Sequence, residues 1–116
     1  MIGHIVLFEP KSDLTTEARR LFLESLRHAV RSIPGVLQAR IGKTLNVGLM
    51  PAVELGVSTY SFVAVLEFAD ESALDAYYKH PAHDELRRLF WMSCQATVIA
   101  DASLVAIDSS ESDLLV

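Results

Sequence analysis

Residues 60–68 read Tyr-Ser-Phe-Val-Ala-Val-Leu-Glu-Phe, and an extended chain sends successive side chains to opposite faces. Tyr60, Phe62, Ala64, Leu66 and Phe68 therefore form one apolar stripe, while Val63 and Val65 occupy the other side. The opening segment repeats the problem. His4, Val6 and Phe8 share a side, and Ile2, Ile5 and Leu7 do not keep to polar positions. A sheet built from such strands needs cover on both faces. Each large side chain left wet forgoes about 1.5–3 kcal/mol of burial, and together they would make an exposed sticky patch.

The remaining elements follow from changes of period. Ile2 to Phe8 is a strand stopped by Pro10. From Asp13, Leu14, Ala18, Leu21, Phe22, Leu26, Ala29, Val30 and Ile33 recur at three- and four-residue steps, which predicts an amphipathic helix. Ser12-Asp13 or Thr15-Thr16 can cap it, and Ile33-Pro34-Gly35 ends it. Val36 to Thr44 reads as a second strand and Tyr60 to Phe68 as a third. Asp70 caps a further helix that His80-Pro81 breaks and restarts, with His80 in the N-cap slot and Pro81 at the first helical position. Thr97 to Ile107 is the last strand, with Val98, Ile99, Leu104, Val105 and Ile107 again on both sides.

The order β-α-β-β-α-β is the ferredoxin-like plan, an α+β protomer with a four-stranded antiparallel sheet and helices on one face. One domain spans 1–107, and residues 108–116 form a loose acidic tail. The helices cover one face of the sheet. The economical cover for the other is the same face of a second copy, which predicts a homodimer. The alternative covers are the tail or the segment 45–59, whose breakers Gly48, Pro51 and Gly56 make it a long loop suited to a lid.

Charge narrows the partners. The net charge of −5 on 116 residues, with the cations scattered, argues against nucleic acid and anionic membranes. No apolar run reaches the ~18 residues needed to span a bilayer. The N-terminus lacks the pattern of a secretory signal, and a single cysteine, Cys94, suits a reducing compartment. Cytoplasmic residence is the expectation.

Three segments resemble a known family. They are His4-Ile5-Val6-Leu7-Phe8, then Ile33-Pro34-Gly35-Val36 with Gly42 after it, and finally Phe68-Ala69-Asp70-Glu71-Ser72-Ala73-Leu74 running into Tyr77-Tyr78-Lys79-His80-Pro81-Ala82-His83. In that order they resemble the stress-responsive dimeric α/β-barrel (Dabb) family over about residues 1–107. The resemblance implies a protomer whose sheet closes into a barrel with its partner's. Many members have no established activity. In a polyketide cyclase of the family, which performs an intramolecular aldol condensation without a cofactor, the second motif histidine is the base and the motif tyrosine assists. Those positions are His83 and Tyr77 here, with His4 at the matching start of strand one.

Residue chemistry agrees with a base at His83. It lies in the first turn of a helix begun at Pro81, where the positive dipole end disfavours imidazolium, and Tyr77 can hydrogen-bond a developing oxyanion. The expected small apolar or carbonyl ligand sits between sheet and helices, against Phe8, Phe22, Leu26, Val63 and Trp91. His4, His80 and His83 lack the further ligands that zinc sites show, so neither metal nor other cofactor is expected. Three functions follow: a Dabb-like homodimer that holds a small molecule, a cofactor-independent cyclase or lyase using His83, or a monooxygenase of the dimeric α/β-barrel type.

Overall fold

Thr15, Asp70 and His80 set where the helices begin. The Thr15 hydroxyl accepts the Ala18 amide at 3.1 Å, an Asp70 carboxylate oxygen accepts that of Ala73 at 2.9 Å, and His80 Nδ1 accepts that of Ala82 at 3.0 Å. Each satisfies an amide that the helix leaves without a partner. The computed structural model describes residues 1–45 and 60–115. Its elements are β1 (Ile2–Pro10), α1 (Thr16–Ser32), β2 (Gln38–Lys43), β3 (Phe62–Phe68), α2 (Glu71–Lys79), α3 (Pro81–Ser93), β4 (Cys94–Ser103) and a 3-10 helix at Ser110–Leu115.

The strands form one antiparallel sheet in the order β2-β3-β1-β4. This is the ferredoxin-like arrangement. Gly35, with φ of 94°, turns the chain out of α1. A side chain there would meet Ala73 Cβ at 3.3 Å, so a residue free of both constraints is required.

Register assigns the faces. Ile2, His4, Val6 and Phe8 stand opposite Phe68, Leu66, Ala64 and Phe62 of β3. These residues face the helices, and the Phe8–Phe22 and Phe68–Tyr77 ring contacts tie them to α1 and α2. Most of this stripe is buried. On the opposite face Ile5, Leu7, Val63 and Val65 are half-buried, and Val98 is 44% exposed. Leu104 lies over Gly3 on that face, its Cδ1 2.8 Å from where a Cβ on Gly3 would stand.

The last strand differs from the sequence expectation. It starts at Cys94, straight from α3, and stops at Ser103 instead of Ile107. The reason is its partner. β1 supplies register only from Pro10, opposite Cys94, to Ile2, opposite Ser103, and Met1 accepts the final amide, from Leu104, at 2.8 Å. Among the described residues Val105 and Ile107 have no strand left to pair with. The tail is likewise not loose throughout, because it winds into the 3-10 helix, with Ser109 and Ser112 hydroxyls bonded to the carbonyls of Ala106 and Ser109. The expected lid lies, from residue 46 to 59, outside the described residues.

Candidate functional site

His4 is a polar residue in an apolar strand, and its parity turns it toward the helices. The β1–β4 register places Asp101 directly opposite. His4 Nδ1 lies 2.5 Å from Asp101 Oδ1, and the Tyr78 hydroxyl, 3.2 Å from the same nitrogen, donates to Asp101 Oδ2. Both carboxylate oxygens are thus engaged. A carboxylate on Nδ1 calls for an N–H there, which in the neutral ring leaves the lone pair on Nε2. His4 itself is 3% exposed.

Tyr77 and His83 join this group from the two helices that His80-Pro81 separates. The Tyr77 ring centroid is 4.8 Å from that of His83 and 5.3 Å from that of His4, and Tyr78 is 5.0 Å from His83. The break at His80 allows this, because the end of α2 and the start of α3 lie on either side of that one residue. Tyr77 is among the largest fully buried side chains. Burial, with a smaller contribution from the Asp101 charge, pushes its hydroxyl up to about 12. The Tyr78 hydroxyl is raised further, by burial first and then by its bond to Asp101. Both hydroxyls therefore keep their protons at neutral pH, and that of Tyr78 donates to Asp101.

His83 is 9% exposed, and its Nδ1 is sealed from solvent with no partner among the described residues. Its pKa is lowered, by burial most, then by Arg87 and His4, with Asp84 opposing. The ring is therefore neutral near pH 7. A buried N–H without an acceptor costs about 1–3 kcal/mol, so the proton belongs on Nε2 and Nδ1 holds an unshared pair.

These side chains border one cavity of about 810 Å³ between sheet and helices. His4, Tyr77, Tyr78 and His83 all line it, among apolar neighbours such as Leu66 and Phe90. The other expected ligand contacts divide. Leu26 and Trp91 line this cavity, and Trp91 is 85% exposed. Phe8 and Phe22 instead border a separate cavity of about 220 Å³ and pack with Phe90 in an aromatic cluster. Val63 is a correction: it pairs with Leu7 on the helix-free face and does not reach the site. Cys94 lines both cavities, but burial pushes its thiol up, away from the nucleophilic thiolate. Among the described residues no three His, Cys, Asp or Glu side chains converge as metal ligands.

Two members of the site, Tyr78 and Asp101, are not among the site residues expected from the sequence, although Tyr78 stands in the motif that carries the resemblance. The available signal was parity. An aspartate between Ala100 and Ala102 faces His4 once β4 is set antiparallel to β1 in register.

Known structures share this fold. A protein of Arabidopsis thaliana is 18% identical, with 94% of this chain and 100% of that chain covered and a TM-score of 0.79. A hydroxynitrile lyase from Passiflora edulis is 18% identical over 90% of this chain and 93% of its own, with a TM-score of 0.74. A dimeric ferredoxin-like protein of unknown function from Thermobifida fusca YX is 21% identical over 89% and 90%, with a TM-score of 0.69. At such identities the likeness speaks for the fold alone. No curated protein matches the chain significantly, and no described helix is long and apolar enough to cross a membrane. The pattern of the stress responsive A/B barrel domain matches residues 2–104, almost the whole chain, and the protein belongs to this Dabb family.

Proposed function

We propose that this protein is a homodimeric, cofactor-independent lyase or cyclase, acting by proton transfer on a small carbonyl compound. The observation that carries the reading is the convergence of two histidines and two tyrosines on one cavity large enough for a small molecule. The hydroxynitrile lyase among the similar structures fits the same chemistry.

The geometry divides the roles. His4 is the better base. His4 lines the cavity, its neutral ring would carry the lone pair on Nε2, and Asp101 would stabilise the imidazolium that forms. His83 is better as a donor, since taking a proton would place a second N–H at its sealed Nδ1 beside Arg87. This exchanges the role that its helix position alone suggests. In the forward step the C–H bond next to the carbonyl breaks, the proton moves to His4 Nε2, and the electron pair flows to the carbonyl oxygen. His83 Nε2–H and the Tyr77 hydroxyl hydrogen-bond the resulting enolate. Its carbon attacks a second carbonyl of the same molecule, and His4 returns the proton to the new alkoxide. Read in reverse, the same groups cleave a carbon–carbon bond.

The dimer reading rests on the helix-free face, where Ile5, Leu7, Val63, Val65 and Val98 stay partly exposed. A second copy of that face would cover them, and the Thermobifida fusca relative is described as dimeric.

A panel of cyanohydrins, β-hydroxy ketones and linear polyketide mimics tests the activity. Turnover of at least one compound, lost in His4→Gln and Tyr77→Phe with little change in melting temperature, supports it. Absence of turnover across the panel returns the protein to a non-catalytic binder.

A further inference from the structure

The charge of the cavity runs against that of the chain. Fifteen acidic residues outnumber ten basic ones, yet among the described residues no Asp or Glu lines the cavity, whereas Lys11 and Arg87 both do. Lys11 follows β1, and its backbone N–H is fixed to the Ser93 carbonyl at the end of α3 at 2.8 Å. Arg87 stands one turn beyond His83 on α3. Asp84 holds one of its guanidinium nitrogens at 2.8 Å, which leaves the other donors of the fork for a ligand. Asp101, beside the site, has both oxygens taken by His4 and Tyr78. Behind these cations the walls are apolar, at Leu26, Leu66, Leu86 and Phe90. One turn before Arg87 on α3, His83 adds a neutral polar ring to the cavity lining.

We propose that the ligand of this cavity is an organic anion: a carbonyl compound with an apolar body and a carboxylate, the carboxylate held by Arg87 and Lys11. Its carbonyl end then lies toward His83 and Tyr77. The inference rests on the carbonyl-site reading above and adds the charge of what enters. A neutral ligand would leave both cations with water; a carboxylate engages them with charge-assisted hydrogen bonds.

Calorimetric titration of the full chain with benzoylpropionate and with its neutral amide, benzoylpropionamide, tests it. The acid is expected to bind on the order of tenfold more tightly at low salt, with an advantage that shrinks as salt is raised. The double variant Lys11→Gln, Arg87→Gln should erase that advantage and leave the amide's affinity unchanged; both positions are exposed, so the fold tolerates the change. Equal affinities in the wild type, or a preference that survives the double variant, overturn the inference. If the amide still binds, the carbonyl site stands without its anion preference. If neither compound binds, both readings fall. Competition by inorganic phosphate as effective as by benzoylpropionate also overturns it, since a bare anion patch would then suffice.

Discussion

His4 and Asp101 are 97 positions apart in the sequence and 2.5 Å apart in the structure. The two ends of the domain meet there because β4 returns antiparallel along β1 with His4 and Asp101 in register. Asp101 fixes which nitrogen of His4 carries the proton, and so decides whether His4 can serve as a base.

Asp101→Asn should therefore leave the fold intact and disable the site. The Asn amide can present its N–H₂ to His4 and favour the other tautomer, with a loss of about a hundredfold in turnover, within the range that acid–base groups contribute. Because Asp101 is partly exposed, the stability loss should stay near 1 kcal/mol. Turnover and a urea melt check both.

Acid should weaken the fold through His83. Its folded pKa lies below the unfolded value near 6.5, so the unfolded chain binds more protons between the two. Stability is then fully present above about pH 6.5 and lost as the pH falls through that value toward the folded one. His83→Phe should flatten this part of the pH–stability curve. An unchanged slope would show that the ring carries no such penalty.

At the alkaline end the sign reverses. Tyr77 holds its proton to about 12, while an unfolded tyrosine releases it near 10. Between those values the folded state binds the extra proton, and stability falls as pH rises. The tyrosinate absorbance should show Tyr77→Phe removing a late-titrating group, with no change in the early ones.

The His80 cap separates structure from chemistry. His80→Ala should cost about 1 kcal/mol, by freeing the Ala82 amide, without changing turnover once the chain is folded. A thermal melt beside an activity assay distinguishes the two effects.

Light scattering tests the covered sheet. Twice the 12.8 kDa chain mass is expected, and Val65→Lys, a charge on the helix-free face, should shift the protein toward the monomer. A wild-type monomer would leave that face without the proposed cover.

What was legible in the sequence was what depends on neighbours. Thr15, Asp70 and His80 could be read as caps because each bonds an amide two or three residues away. The alternation in β1 and β3 likewise exposed the two apolar faces, and the order of the elements carried the ferredoxin-like plan. The end of β4 was not legible, since it depends on where β1 runs out, and the meeting of Asp101 with His4 becomes visible only once the β1–β4 register is set. Val63 shows local reading misapplied, for its parity already placed it opposite Phe62 and Ala64. His83 was correctly placed at a helix start, but the sealing of its Nδ1 depends on packing that no local pattern reports.

The most direct measurement is proton exchange at a carbon next to a carbonyl, followed by NMR for benzoylacetone in D₂O. The account predicts that the protein accelerates deuterium uptake over an equal concentration of imidazole, that His4→Gln abolishes the acceleration, and that His83→Gln retains part of it. Equal rates for wild type and His4→Gln would contradict a base at His4, and an unaccelerated rate would leave the cavity without acid–base chemistry.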